Sequence, residues 1–250
     1  MRVSPDTTTT WADTLNGREL PDLSVGSPRH RFVYLLLKRL LDLIVALSLT
    51  PVAWPVMVLA AILIRLESNG PAIFIQERVG ARYRWEDGRI VWRICLFRCY
   101  KLRTMRSDAD QSVHKEYLWR FRNGYTETGP RIAPFKLSRD SRITRVGALL
   151  RKTSLDELPQ LLNVIKGEMS LVGPRPVPVY EVELYDESHY ARLASLPGIT
   201  GMWQVYGRSR VTFEEMVQMD IDYVRRASIL FDIKLLLLTI TSVVSFRGAA

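Results

Sequence analysis

Cysteine is nearly absent from this chain, with only Cys95 and Cys99 in 250 residues. Two such residues without further ligands build neither a disulfide framework nor a zinc site, and a reducing cytosolic environment fits. Acidic residues are also in deficit: 26 Asp and Glu face 35 Lys and Arg, leaving a formal charge of +9. No internal repeat is visible, which removes solenoid architectures. Hydrophobic residues at 47% and charged residues at 24% are both ordinary. That balance excludes a disordered, collagenous or polytopic membrane chain. The length suits one large domain or two small ones. The surplus of positive charge calls for an anionic partner: nucleic acid, a lipid surface or phosphorylated small molecules. Charge alone does not choose among them.

The apolar residues are unevenly spread. Leu43 to Ile64 reads LIVALSLTPVAWPVMVLAAILI, without a single charge. As a straight helix this run would be about 33 Å long, enough to cross a bilayer core. Pro51 and Pro55 fall in its middle, where each removes a backbone donor and favours a kink. Basic residues flank both ends: Arg29, Arg31, Lys38 and Arg39 before it, Arg65 and Arg78 after it. Lys and Arg gather on the cytoplasmic side, so basic flanks at both ends favour entry and exit by the same face. The expectation is a re-entrant helical hairpin broken at Thr50-Pro51, with the Thr50 hydroxyl bonding a carbonyl freed there. A bitopic anchor and a long buried helix are the alternatives.

Around that run the chain divides into three parts: a polar tail over 1–28, the basic approach and membrane segment over 29–66, and a catalytic-looking domain over 67–250. Ala72–Glu77 and Ile90–Phe97 are β-rich and separated by a polar stretch containing Asp87-Gly88, which predicts an antiparallel pair. Residues 107–135 read as loop with a short helix over Val113–Phe121. Leu158, Leu161, Leu162 and Ile165 repeat at helical spacing, and Gly167 supplies a stop. Gly173-Pro-Arg-Pro-Val-Pro178 must be extended. Helices are expected over Val179–Ala194 and Thr212–Arg226, with a turn at Pro197–Gly201. Ser228–Phe246 is apolar but carries Asp232 and Lys234, which predicts an interfacial or packed helix. The fold class is therefore α+β and mainly helical, a compact cytosolic domain with a short β-hairpin.

The stretch Arg151-Lys-Thr-Ser-Leu-Asp-Glu-Leu-Pro-Gln160 holds the chemistry. Ser154 and Glu157 match capping-box spacing, and Pro159 suits a first turn, so Asp156 and Glu157 are expected at a helix N-terminus. The dipole there favours ionised carboxylates, suited to a nucleophile and a Mg²⁺ ligand, and the site can receive phosphate. Simple capping is the plainer explanation of the pair alone. Cations crowd the region. Lys136, Arg139, Arg142, Arg145, Arg151 and Lys152 face one acid, Asp140. Lys101, Arg103, Arg106 and Arg175 add to them, the last set between Pro174 and Pro176. Guanidinium forks suit phosphate oxygens, although a basic face also suits anionic lipid, which accounts for Arg29 to Arg39.

SLDELPQLLNVIKGEMSLVGPRP, followed by Pro197-Gly-Ile-Thr-Gly-Met-Trp-Gln204, resembles the bacterial sugar transferases, the monotopic phosphoglycosyl transferases that begin surface-glycan assembly on polyprenyl phosphate. Phe97-Arg-Cys-Tyr-Lys-Leu-Arg-Thr-Met105, Arg142-Ile-Thr-Arg-Val-Gly147 and Phe231-Asp-Ile-Lys234 match in the same order. The resemblance covers residue 31 onward. It implies a single catalytic domain held on one leaflet of the bacterial inner membrane, facing the cytoplasm, by a re-entrant helix broken at Ser-Pro, here Thr50-Pro51. The chain would be the minimal form of the family. The stretch Tyr83–Ile94 is longer than the turn usual in the family.

By that resemblance Asp156 is the nucleophile toward the β-phosphorus of a UDP-sugar, UMP leaves, and polyprenyl phosphate takes the phosphosugar from Asp156. Glu157, with Asp156, would hold Mg²⁺. Arg151 would bind phosphate, and Gly173-Pro174-Arg175-Pro176 would contact the nucleotide. Lys101, Arg103 and Arg145 are further candidates. Membrane lipid, UDP-sugar and polyprenyl (undecaprenyl) phosphate are the expected partners, nucleic acid is not, and self-association is left open. A non-enzymatic lipid or nucleic-acid adaptor would explain the charge and the anchor but leave Asp156, Glu157 and Arg175 idle. A transporter subunit fails on its single hydrophobic segment. Which UDP-sugar is used is not legible.

Overall fold

The structure is a computed structural model and describes residues 15–21, 28–107, 110, 112–123, 140–207 and 211–244. Lys136 and Arg139 lie outside the described residues. The apolar run belongs to helix α1 (Pro28–Glu67), 40 residues with Pro51 and Pro55 inside it. The helical assignment continues through Thr50-Pro51, where the sequence favours a break. Thr50 Oγ1 does donate to a carbonyl one turn back, that of Ala46, at 2.7 Å.

The apolar surface of α1 is mostly bare. Leu35, Ala46, Ala53, Ala60 and Ile64 lie on a buried stripe, while Leu40, Ile44, Leu47, Val52, Leu59 and Leu63 are exposed. Only 17% of its most apolar 18-residue window is buried, and it is the one helix among the described residues long and apolar enough to cross a membrane. A core helix of a soluble protein would be buried on most sides.

Two of the cations read as a lipid-facing flank are structural instead. The Lys38 ammonium is buried and donates to Asp232 Oδ2 (2.8 Å), the Tyr223 hydroxyl (3.1 Å) and the Val172 carbonyl (2.9 Å). All three of its protons are thereby satisfied. Arg39 caps a helix C-terminus through the carbonyls of Val164 (2.5 Å) and Ile165 (2.7 Å). At the far end of α1, Glu67 accepts from the backbone N–H groups of Arg145 (2.6 Å) and Val146 (2.8 Å). Both ends of α1 are therefore tied to the same domain.

The expected hairpin is longer than the β-rich segments suggest. β1 (Ile73–Glu86) and β2 (Arg89–Leu102) pair antiparallel from Ile73↔Leu102 to Glu86↔Arg89. Asp87 (φ 49°) and Gly88 (φ 77°) turn the chain with both residues left-handed, the primed two-residue turn that matches strand twist. The stretch Tyr83–Ile94 is thus the outer half of this hairpin, with Tyr83 edge-on to Trp92 at 5.4 Å. Trp85 near its tip meets Phe32 of α1 at 5.9 Å. Residues 15–21, inside the tail expected over 1–28, lie along β2 instead. Gly17 and Leu20 donate to the carbonyls of Ile94 (2.8 Å) and Trp92 (2.9 Å), and Leu15 and Leu20 are buried.

The remaining elements are α2 (Ser112–Arg122), α3 (Arg145–Thr153), a 3₁₀ turn (Leu155–Glu157), α4 (Gln160–Lys166), β3 (Ser170–Val172), β4 (Val177–Pro178), α5 (Val179–Val182), a 3₁₀ segment (Glu187–Leu193), β5 (Gly198–Thr200), α6 (Met202–Tyr206), α7 (Phe213–Arg226) and α8 (Ile229–Val244). β4 joins the hairpin beside β1, and β3 pairs parallel with β5. The helix expected over Val179–Ala194 is interrupted, because Asp186 is extended (φ −82°, ψ 165°) and caps a new 3₁₀ segment reciprocally with His189. Of the expected stripe, Leu161 is buried and Leu158 and Ile165 are half-buried, but Leu162 is 47% exposed, and Val164, outside the stripe, is buried instead. α7 starts at a capping box between Thr212 and Glu215, and α8 turns Asp232 and Leu235 inward. The fold mixes helices with a small sheet, and its core joins α1, the hairpin, α4, β3 and α8.

Candidate active site

Strand alternation builds the floor of a cleft. Phe74, Gln76 and Arg78 of β1 with Cys99 and Lys101 of β2 share one face of the hairpin base, and Glu157, Gln160, Arg175, Pro176 and Ile199 stand round it. Side chains two apart on a strand point the same way, so Lys101 enters the cleft by register alone. Its ammonium lies 2.7 Å from Asp156 Oδ2 and 3.8 Å from Glu157 Oε1. Arg175 Nη1 reaches the same Glu157 oxygen at 3.5 Å. Asp156 is 3% exposed.

The two carboxylates are presented differently from the expectation. Ser154 does not form a capping box with Glu157. It is left-handed (φ 58°) and closes α3, with its N–H directed to the carbonyls of Arg151 and Leu150, and its side chain caps nothing. An N-cap needs extended backbone, which that conformation excludes. Asp156 and Glu157 therefore sit on the 3₁₀ turn between α3 and α4. Such a non-glycine left-handed residue two positions before Asp156 is strain held by its surroundings.

Arg151, in the last turn of α3, is brought toward Asp156. Burial draws its pKa down while Asp156 and Asp140 oppose that, and Arg175 and Arg142 add to the fall. Arg175 is placed by the Gly173–Pro176 loop, whose Pro174 carbonyl accepts from Gly198 N–H at 2.8 Å. Gly173 and Gly198 touch backbone to backbone, and a Cβ on Gly198 would overlap the Gly173 amide. This contact explains why the two loops carry glycine where they meet. Gly147 is similar, because a Cβ there would overlap the Thr104 carbonyl.

Two candidates stand elsewhere. Arg103 lies just past β2 and its guanidinium holds the end of α1, through the Asn69 carbonyl and the Ser68 carbonyl and hydroxyl (2.7 and 3.0 Å). Arg145 is exposed at the start of α3, and its backbone N–H is given to Glu67. Pro176 lines the cleft while Pro174 is buried behind it.

Arg78 and His114 join the site without having been singled out for it. The Arg78↔Pro178 pairing of β1 with β4 carries Arg78 beside Pro176, whose carbonyl it contacts through Nη1 at 3.1 Å. The alternation of Gln76 and Arg78 with Phe74 was the available signal. His114 of α2 bonds the Tyr180 hydroxyl at 2.8 Å through Nδ1. Its pKa is pulled from 6.5 to about 4 by burial and then by Arg78, Arg175, Arg142 and Arg151. A neutral imidazole facing four guanidiniums reports a strongly positive region, suited to a multiply charged anion.

A profile described as bacterial sugar transferase matches residues 33–246. The chain belongs to the bacterial sugar transferase family. This sugar transferase is 43% identical over 221 residues to "Galactosyl transferase CpsE" of Streptococcus agalactiae, covering 88% of this chain and 45% of that protein. It thus spans less than half the length of that relative. It is 39% identical over 212 residues to "Exopolysaccharide production protein ExoY" of Rhizobium meliloti, covering 85% and 87% of the two chains. With the "UDP-glucose:undecaprenyl-phosphate glucose-1-phosphate transferase" of Caulobacter vibrioides it shares 37% over 239 residues, or 92% and 78% of the chains.

Proposed function

We propose that this sugar transferase moves a sugar 1-phosphate from a UDP-sugar to polyprenyl phosphate, releasing UMP and leaving polyprenyl diphosphate-sugar. The observation that carries this reading is the pair Asp156–Glu157 held by Lys101 and Arg175 in a cation-lined cleft. One Asp156 oxygen is anchored on Lys101, which leaves the other for attack on the donor's β-phosphorus. The bond from that phosphorus to the bridging oxygen breaks, its electron pair leaves with UMP, and an aspartyl phosphosugar remains. An oxygen of polyprenyl phosphate then attacks the same phosphorus and the Asp156 carboxylate departs intact. Arg175 and Arg151 offset the charge of the phosphates. Two exchanges at one site let a water-soluble donor and a membrane-bound acceptor use it in turn.

Among the described residues no three His, Cys, Asp or Glu gather as a metal cluster. Asp156 and Glu157 would offer oxygen donors to Mg²⁺, with phosphate oxygens and water completing its shell, the mode in which that ion is commonly held. The ion would neutralise diphosphate charge. Lys101, now between the two carboxylates, would share that task.

Screening a panel of UDP-sugars for UMP release with polyprenyl phosphate present is expected to give turnover with one sugar class. No turnover with any of them would refute the reading.

For α1 we propose re-entry at the cytoplasmic face of the inner membrane with the helix bent at Thr50-Pro51. What supports it is that Lys38 and Arg39 at one end and Glu67 at the other bind one domain. Single cysteines at Leu37 and Leu66, in a Cys95→Ser and Cys99→Ala background, are expected to label from the same side of intact vesicles. Labelling from opposite sides would establish a bitopic helix.

A further inference from the structure

Most cations at the cleft already have an anion. Lys101 is paired with Asp156, Arg175 with Glu157, and Arg142 with Asp140. Arg78 differs. Its guanidinium lines the cleft, its Nε is buried with no hydrogen-bond partner, and no carboxylate lies within ion-pair distance of it among the described residues. The bond from Nη1 to the Pro176 carbonyl fixes the plane of the fork without neutralising its charge.

The surroundings make that charge costly. Phe74, Cys99 and Ile199 share the lining and offer little solvation. Arg175 lies close enough to repel it, and burial and that repulsion both draw its pKa down. Glu181 is the nearby acid, but its carboxylate faces Arg192 at 3.5 Å. A half-buried guanidinium whose Nε is buried without a partner, and which has no counter-ion, is an expensive arrangement in a folded protein unless a ligand completes it. Two guanidiniums on one wall form a fork pair matched to phosphate oxygens.

We propose that Arg78, together with Arg175, is a seat for a phosphate monoester, separate from the Lys101–Asp156–Glu157 centre. The assignment rests on the phosphoryl-transfer reading above and extends it. Asp156 works on the phosphorus being transferred, and Arg78 holds a phosphate that is not. Two sources of that chemistry meet at this cleft, the nucleotide phosphate of the donor and the lipid phosphate of the acceptor.

The test is calorimetric binding of UMP and of a short-chain isoprenyl phosphate to detergent-solubilised wild type, Arg78→Gln and Arg78→Lys, with folding checked by circular dichroism. Arg78→Gln is expected to weaken at least one probe by about tenfold or more, in line with the loss of a charge-assisted fork. Loss for UMP alone assigns the seat to the donor, loss for the isoprenyl phosphate alone assigns it to the acceptor, and loss for both assigns a seat shared in turn. Arg78→Lys keeps the charge without the fork and is expected to lose several-fold, so it serves where the Gln variant does not fold. Unchanged affinity for both probes in a folded variant overturns the proposal, as does a wild type that binds neither. A wild type that binds a probe yet releases no UMP from any UDP-sugar refutes the transferase reading and leaves the seat standing.

Discussion

Asp156→Asn is expected to lower UMP release from a UDP-sugar by on the order of 10⁴-fold or more, the scale set by removal of a covalent nucleophile. The substitution is nearly isosteric and keeps an oxygen within reach of Lys101, so what it removes is nucleophilic charge. Glu157→Gln is expected to cost less, because Glu157 is half-shielded and shared between Lys101 and Arg175 rather than anchored on one of them. The decisive measurement couples UMP release with peptide mapping after mixing enzyme and radiolabelled donor. Label should reach the peptide holding Asp156 in wild type and be absent from the Asn variant. Ordinary turnover by a folded Asp156→Asn protein would end the assignment of Asp156 as nucleophile.

Lys38→Met is expected to be the most damaging change remote from the cleft. It leaves Asp232 buried at 1% exposure with its counter-charge gone. Removing one partner of a buried pair costs about 3–5 kcal/mol, whereas removing both charges is far cheaper. For a chain of this size that corresponds to a fall of roughly 6–20 °C in melting midpoint. The double variant Lys38→Met, Asp232→Asn should recover most of it, since one of the hydroxyls of Tyr34 and Tyr223 can still donate to the amide oxygen while the other accepts from the amide nitrogen. Equal midpoints for wild type and the single variant would show that the pair does not hold α1 to α8.

Local chemistry was the readable part of this fold. Asp87-Gly88 fixed the hairpin turn, because both residues tolerate left-handed backbone, and Thr212 with Glu215 fixed the start of α7. The Asp156–Glu157 pair, Lys101 and Arg175 were legible as residues, and the fold brings them together. Long-range pairing hid the rest. Arg78 shares the hairpin face of Phe74 and Gln76 but meets Pro176 and Arg175 through the pairing of β1 with β4, about a hundred residues later, and a basic residue after an apolar run reads naturally as a membrane flank. Lys38 misled in the same way, since its partner Asp232 lies far along the sequence. Ser154 looked like a cap because spacing records which residues are near one another, not which backbone conformation they hold.

The buried Lys38–Asp232 pair also orders events during biosynthesis. α1 leaves the ribosome early, but α8 follows it by most of the chain. Until Asp232 emerges, the Lys38 ammonium lacks the carboxylate it bonds in the folded chain and has Asp42, one turn along α1, as the acid nearby, so the contact of α1 with α8 closes after Arg39 and Asp42 can already reach α4 and β3. Chains stopped between α7 and α8 would carry Lys38 without its partner on α8, the kind of incompletely packed species that quality-control proteases remove.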